Sequence, residues 1–254
     1  MPFPLAHPAA VLPFRRFRHL NSSALLIGAV TPDLSYCFDR YHLDLFAHTV
    51  RGCFGFSLPL GWLAVLIFQT VREPLVNLLP APHRQALLRS FRKPNLAWFA
   101  VPLSVLIGAA THVFWDAFTH ETGWFVVRSS FLQMKLFTVD GHHFRTCRLL
   151  WHISTWTGLF FLCRAYMQTL KKWTGSARLF VPEERQRYAL WAAILALPLL
   201  GVLLFLVWRI ASKAPSLAET ARLLRRSSAV YLVALSVLLI AIGVGLRFRD
   251  RPGE

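Results

Sequence analysis

Charged side chains are scarce in this sequence, and their scarcity narrows the class of protein to which it can belong. They make up 16% of the 254 residues, against roughly 25% in an ordinary soluble domain. The apolar residues, 55% of the chain, are gathered into long blocks that a water-soluble core of this size does not require. The composition therefore argues against a soluble domain and indicates an integral membrane protein.

Cysteine is also scarce, and its spacing argues against two kinds of stabilised fold. The four cysteines are Cys37, Cys53, Cys147 and Cys163, with no C-x-x-C pair among them. Structural zinc clusters and disulfide frameworks need closely or regularly spaced cysteines. We therefore interpret these four as ordinary, mostly buried thiols.

Five apolar blocks are long enough to cross a bilayer as helices. They are Cys53–Val71, Ala97–Phe118, Leu149–Met167, Ala189–Trp208 and Ala229–Leu246. Each is near the ~20 residues that cover ~30 Å of hydrocarbon. The segment Ser23–Val30 is too short to span, so we expect it to be re-entrant or interfacial. The sequence thus predicts an all-α fold, a polytopic transmembrane helix bundle with about five spans and this short N-terminal helix.

The balance of charge is strongly basic, with a net charge of +16. Lysine and arginine lie mainly in the loops between the predicted spans, where such residues anchor helix ends and contact anionic headgroups. No nucleic-acid recognition motif accompanies them. We therefore expect membrane lipids, and no nucleic acid, as partners; protein partners stay unknown. The basic residues divide equally between the two sides, so the positive-inside rule does not orient the chain.

Histidine is absent after His152, although two predicted spans follow. Those two spans contain only aliphatic, aromatic and small residues, which is typical of packing elements. We predict that residues 1–167 form a membrane domain that carries the His/Asp groups and a metal site. Residues 168–254 are predicted to supply two apolar packing spans with basic loops, within what we expect to be a single structural unit.

His112, Asp116 and His120 form the most informative polar group. They end an apolar run and are spaced four and four, so they drift by only about 40° per step and share one stripe of a helix. An ionisable residue inside a span is a functional candidate by default. The alternative is an ordinary i,i+4 His–Asp pair, with His120 outside the membrane.

Polar residues elsewhere in the first portion extend this pattern. His7 precedes an apolar run, Asp33 follows Pro32, and His48 lies four residues after Asp44. Imidazole and carboxylate are ligands for zinc and also serve iron or manganese. Alternatively, His7 marks a polar–apolar boundary and Asp33 caps a helix or turn.

His152 lies at the start of a predicted span, in "LLWHISTWTG". A functional role and a hydrogen bond across helices with Ser154 or Thr155 are both open for it. Asp116 or Asp33 could also serve as a general base, or fix the tautomer of a histidine.

Four motifs carry a resemblance to a known family. The stretches MPFPLAHPAAVLPFRR, LLIGAVTPDLSYCF, THVFWDAFTHETGWFV and RLLWHISTWTGLF resemble, in order and wording, the bacterial membrane proteins catalogued as domain of unknown function 4184. More remotely, the pattern is similar to membrane-bound metal-dependent hydrolases regulated by the SOS repressor, a group likened to zinc-dependent phospholipase C. Thr49 follows His48 where the wider group has serine.

The resemblance implies a ligand set and a chemistry. The implied metal residues are His7, Asp33, His48, His112 and Asp116, with His120 and His152 as family-specific additions. We expect a multi-pass protein of the bacterial inner membrane that binds a divalent metal, zinc being the first candidate, near one membrane face.

The expected activity is hydrolysis of a phosphoester or another lipid-derived bond. Asp116, His120 and His152 are the candidate catalytic residues, through substrate contact or proton transfer. Two alternatives stay open. One is a small transporter with a His/Asp pathway for ions or protons, and the other is a scaffold whose polar residues only fasten helices together.

Overall fold

The computed structural model describes residues 4–38, 40–90, 99–139, 142–176, 178–213 and 217–249. The α-helices are α1 (Ser22–Gly28), α2 (Tyr41–Ala47), α3 (Val50–Gly52), α4 (Leu58–Asn77), α5 (Ala81–Ser90), α6 (Ala100–Thr119), α7 (Ser130–Gln133), α8 (Thr146–Thr174), α9 (Arg185–Lys213) and α10 (Leu217–Arg249). The 3₁₀ segments are Pro4–Arg16, Thr31–Phe38, Val126–Arg128 and Pro182–Glu184, and Cys53–Ser57 is a π-helical turn. The predicted all-α fold class is confirmed.

Four helical segments within these described ranges are long and apolar enough to cross a membrane. They are Val50–Asn77, Ala100–Thr119, Pro182–Ser212 and Val230–Arg249. They correspond to four of the five predicted blocks. The remaining block, Leu149–Met167, is helical within α8 but is not among them, because polar residues such as His152 and Arg164 lower its hydropathy. Length and composition are those of a membrane protein.

A two-stranded antiparallel hairpin interrupts the helices. Strand β1 (Lys135–Val139) pairs with β2 (His142–Arg145), and the rings of Phe137 and Phe144 stack across it at 4.6 Å. This hairpin was not predicted from the sequence. The usable signal was the Asp-Gly dipeptide between two short runs of aromatic and β-branched residues, which is a strong hairpin pattern.

Helix α1 packs against α6 through backbone contact. A Cβ on Gly28 would overlap the main chain of Val105, and a Cβ on Gly108 would overlap that of Leu25 and Ala29. Small residues allow such an approach between membrane helices. Helix α1 therefore packs on a helix that is itself a candidate span, and the re-entrant and interfacial alternatives for this short helix both stay predictions.

Two hydrogen bonds fix the start of α1 on α6. Asn21 caps the helix by accepting from the backbone N–H of Ala24 at 2.9 Å, and its own backbone N–H donates to the hydroxyl of Ser104 at 2.8 Å. Ser104, Gly108 and His112 are spaced four apart, so the same stripe of α6 anchors α1, contacts its backbone and continues to the polar residues.

The chain divides into two compact units. The first contains Met1–Val65 and Lys93–Met167, and the second contains Leu66–Arg92 and Gln168–Glu254. In the second unit, α9 packs on α10, and Arg247 donates to the carbonyl of Thr70 at 2.9 Å. The first unit holds α1, α6 and all the candidate site residues.

Candidate metal centre

Three separate elements bring two carboxylates and two imidazoles together. Asp33 comes from the 3₁₀ segment after α1, His48 ends α2, and α6 supplies His112 and Asp116. One ligand atom from each of these four residues lies within 4.8 Å of the others. This set, which we call the DHHD cluster, could hold a metal ion.

The two cluster histidines are oriented by main-chain carbonyls. Nδ1 of His112 lies 2.8 Å from the carbonyl oxygen of Ala29, and Nδ1 of His48 lies 2.8 Å from that of Asp44. A carbonyl only accepts, so each Nδ1 carries a hydrogen and donates it. In the neutral ring, Nε2 is then a bare acceptor, which is the arrangement of metal-binding histidines.

Both Nε2 atoms face carboxylates. Nε2 of His112 lies 3.3 Å from Oδ1 of Asp33 and 3.3 Å from Oδ2 of Asp116. Nε2 of His48 lies 3.3 Å from the same Asp33 oxygen and 3.6 Å from the same Asp116 oxygen. Within the described residues, Nε2 of His112, Oδ2 of Asp33 and both oxygens of Asp116 make no hydrogen bond.

This geometry places acceptors against acceptors in a buried site, which is unfavourable unless positive charge lies between them. A single protonated imidazole would supply one positive charge against two carboxylates and leave one buried negative charge. A divalent cation would balance both carboxylates and bind the bare nitrogens as well. The donor set of two nitrogens and two oxygens fits such a cation.

His7 lies against the DHHD cluster from the N-terminal segment. It is 4% exposed, its ring stacks on that of His112 with centroids 3.7 Å apart, and its Nε2 lies 3.6 Å from Oδ1 of Asp116. Burial, followed by the neighbouring imidazole of His112, lowers the pKa of His7 to about 3. The ring is therefore neutral and able to donate a lone pair.

Asp33 is buried with its carboxylate directed at two imidazoles. Burial alone would raise its pKa, but the two imidazoles that face the carboxylate, above all that of His112, outweigh burial and hold the pKa below its ordinary value. The carboxylate is therefore ionised. Its described side-chain contacts are with the imidazoles of His48 and His112, and none of them is the hydrogen bond of a helix cap.

His120 borders the cluster at the end of α6. Its Nδ1 donates to the carbonyl of Asp116 at 3.1 Å and lies 3.5 Å from Oδ1 of the same residue. Burial lowers the pKa of His120. Its Nε2 is buried and makes no hydrogen bond in the described part of the chain.

His152 lies elsewhere. It is exposed, and its described ring contacts are with Phe144 at 6.0 Å and Trp151 at 4.4 Å. Neither ring belongs to the cluster. The hydroxyls of Ser154 and Thr155 both donate to the carbonyl of Trp151 on their own helix, so these bonds do not involve His152.

The DHHD cluster and His7 bring together residues from the first three of the four sequence motifs that carry the family resemblance. One family profile matches the sequence over a range that includes all of these residues. The profile described as "Domain of unknown function (DUF4184)" matches residues 1–244. The chain belongs to this family. No curated protein and no solved structure matches this chain. The predicted resemblance is confirmed for this DUF4184 family, while the remoter similarity to metal-dependent hydrolases stays a prediction.

Several supporting groups were not predicted for this DUF4184 member. The carbonyls of Ala29 and Asp44 orient the histidines, but a main-chain acceptor leaves no mark in a sequence. Thr49 has a structural role, because its hydroxyl donates to the carbonyl of Phe46 at 2.7 Å and accepts from the N–H of Gly52 at 3.0 Å. This cap engages the Thr49 hydroxyl.

Proposed function

We propose that this protein is a metal-dependent hydrolase of the bacterial inner membrane that cleaves a phosphoester or another bond of a lipid-derived substrate. One observation carries the proposal. The bare Nε2 of His112 lies 3.3 Å from carboxylate oxygens of both Asp33 and Asp116. Buried acceptors at this separation call for a cation between them.

The DHHD cluster would hold a divalent cation, with zinc as the first candidate because imidazole and carboxylate are its common ligands. When bound, such a cation polarises a substrate oxygen and makes water acidic enough to attack near neutral pH. His7 would add a neutral nitrogen or position Asp116, whose Oδ1 lies 3.6 Å away. The main-chain carbonyls of Ala29 and Asp44 keep the two cluster rings in their ligand tautomer.

His120 is the residue we propose for proton transfer or substrate contact. Its Nδ1–H is engaged with the carbonyl of Asp116, which leaves Nε2 to accept or deliver a proton. His120 is only partly buried, so a substrate can contact the exposed part of its ring, while Nε2 is enclosed. His152 takes no part in this proposal, because its described ring contacts lie outside the cluster.

The position of the cluster along α6 supports a lipid-derived substrate. Asp116 lies in the last turn of a 20-residue candidate span, Ala100–Thr119, and span ends meet the headgroup region. A transport pathway would need polar groups through the depth of the membrane. On α6 the earlier stripe residues Ser104 and Gly108 are instead occupied by packing with α1.

The unpartnered acceptors also favour a metal site over a scaffold. Polar residues that only fasten helices together make hydrogen bonds with one another. Within the described residues, Nε2 of His112 and both carboxylate oxygens of Asp116 make none. A scaffold would gain nothing from burying acceptors against acceptors.

Elemental analysis of the detergent-purified protein tests the metal. We expect about one zinc or other divalent ion per chain in the wild type, little in His112→Ala, and an unchanged content in His152→Ala, where the histidine is exposed. Size exclusion and circular dichroism show whether each variant is folded. A metal-free wild type, with His112→Ala failing to fold, would instead establish the scaffold alternative.

Hydrolysis is tested with mixed micelles of phosphatidic acid and phosphatidylglycerol. We expect the wild type to release a water-soluble product, and release to stop after chelation and in His112→Ala. If metal-loaded protein in liposomes moves protons or metal ions without cleaving lipid, the transporter alternative replaces the hydrolase.

A further inference from the structure

A cleft of about 180 Å³ lies in the first unit beside the metal centre. The N-terminal 3₁₀ segment forms one wall with Ala6, Ala9 and Ala10. Trp115 of α6 forms another, and α8 closes the cleft with residues that include Thr157 and Phe161. A Cβ on Gly158 would contact the carbonyl oxygen of Ala6 closely, so glycine at this position lets α8 approach the segment.

The cleft is lined for hydrocarbon. Alanine methyls and aromatic rings form most of its surface. Its two hydroxyl groups are already engaged, since Ser154 donates to the carbonyl of Trp151 at 2.9 Å and Thr157 donates to that of Ile153. Apolar concave sites with few polar groups bind the apolar part of a ligand and leave its orientation to those few groups.

One polar side chain connects the cleft with the DHHD cluster. His7 lines the cleft while its ring stacks on His112 and its Nε2 lies 3.6 Å from Asp116. His7 is 4% exposed, and this nitrogen makes no hydrogen bond to any described residue. Trp115, which also lines the cleft, directly precedes Asp116. A ligand in the cleft would therefore have one end at the metal centre.

The outer part of the cleft is open to the surroundings of α6. Trp115 is 43% exposed and Phe161 is 52% exposed, and α6 is a candidate span. Large exposed apolar side chains beside a membrane helix are solvated by acyl chains. An occupant could thus enter sideways from the bilayer, without passing through water.

We propose that this cleft binds one hydrocarbon chain of the lipid substrate and places the lipid's polar end at the DHHD cluster. That the occupant is a substrate rests on the proposed function. The inference goes further by assigning the tail to the surface between the N-terminal segment, α6 and α8. Recognition then depends on the hydrocarbon chain as well as on the headgroup.

A photoreactive lipid tests where the chain lies. Phosphatidylglycerol with a diazirine in one acyl chain is incubated with the full protein in micelles, and labelled peptides are mapped. We expect labelling of residues 6–10 and 154–161, and at least a fivefold loss of it in Thr157→Trp, which fills the cleft from an exposed position. Phe160→Trp is the matched control, because Phe160 is exposed on the same helix and is not part of the cleft lining.

The outcomes separate this inference from the proposed function. Equal labelling in wild type, Thr157→Trp and Phe160→Trp would overturn the chain-binding cleft, even if the metal is bound and lipid is cleaved. Specific labelling that Thr157→Trp abolishes supports the cleft, even if the protein holds no metal. If lipid is cleaved, Thr157→Trp should slow cleavage of long-chain lipid at least fivefold and slow cleavage of a dibutanoyl analogue much less, with the metal content at the wild-type level.

Discussion

The helices α6 and α9 are both apolar enough to cross a membrane, yet they are used in different ways. In the window that defines the span, 39% of α6 is buried, against 17% for the segment that contains α9 and 6% for the one in α10. One stripe of α6 carries Ser104, Gly108, His112 and Asp116, all of them buried. In contrast, α9 exposes Leu200, Leu204 and Trp208 at comparable spacing. A stripe of small and ionisable residues makes a span the centre of its unit, whereas a uniformly apolar surface suits contact with lipid.

The largest effect is expected from placing a large side chain at Gly108, in the buried stripe of α6. Gly108→Leu should destabilise the protein by more than about 4 kcal/mol, because backbone overlap with α1 is among the severe causes of destabilisation. Metal binding should be lost with it, since α1 orients His112 through Ala29. Thermal unfolding in detergent and elemental analysis measure both effects.

Gly201→Leu in α9 is the control for that substitution. A Cβ on Gly201 meets no atom within 4 Å, so we expect stability to stay the same or to rise by up to about 1 kcal/mol through helix propensity. If both variants were equally damaged, the contrast between the two helices would be wrong.

Removing the proposed metal should have the next largest effect on stability, and this effect should arise in the first unit. A ligand that binds the native state at 1,000 times its Kd contributes about 4 kcal/mol of stability. Chelation should therefore lower the Tm of the wild type in detergent. Asp33→Asn should lose most of this response because it removes a carboxylate of the cluster. The same Tm with and without chelator in the wild type would contradict a structural contribution of the ion.

His120→Gln should reduce activity without removing the metal. Loss of a proton-transfer group typically costs about a hundredfold in rate, which is roughly 2.7 kcal/mol. We expect turnover of lipid to fall by about this factor while metal content stays at the wild-type level. His152→Gln is the control and should leave turnover unchanged. A parallel loss of metal and turnover in His120→Gln would assign His120 to metal binding instead.

The smallest effect on stability is expected from replacing a serine, because α6 and α10 use serine in different ways. Ser104→Ala leaves the buried N–H of Asn21 without its acceptor at 2.8 Å, which should cost about 1–3 kcal/mol. Ser236→Ala in α10 removes a hydroxyl that donates only to its own helix and should change stability by no more than about 0.5 kcal/mol. Chemical or thermal unfolding of the pair distinguishes an anchoring serine from an ordinary one.

The sequence predicted the helices and the polar stripe well because both depend on local spacing. His112 and Asp116 had to share a face of any helix that contained them. The convergence of His7, Asp33 and His48 depends on tertiary contacts instead, and the resemblance alone could join these residues. The close contact of Gly28 with α6, which brings Asp33 toward His112, has no periodic signal.

Two features were not predicted from the sequence for other physical reasons. The hairpin of β1 and β2 is short, and helical patterns on both sides hid its alternation. His152 has the residue type and the position at a helix start that suit a site, but only the fold could show that its ring lies beside Phe144 and Trp151. Residue type indicates what a side chain can do, and packing decides whether it has the neighbours to do it.

The hydrogen bond between His112 and Ala29 also sets an order of events during biosynthesis. Half of the DHHD cluster, Asp33 and His48, leaves the ribosome more than sixty residues before His112 and Asp116. The nascent chain therefore cannot complete the DHHD cluster until α6 has been inserted and α1 has docked on it. The proposed ion could bind only after this insertion, and a chain that stalls before residue 112 stays without half of the donors.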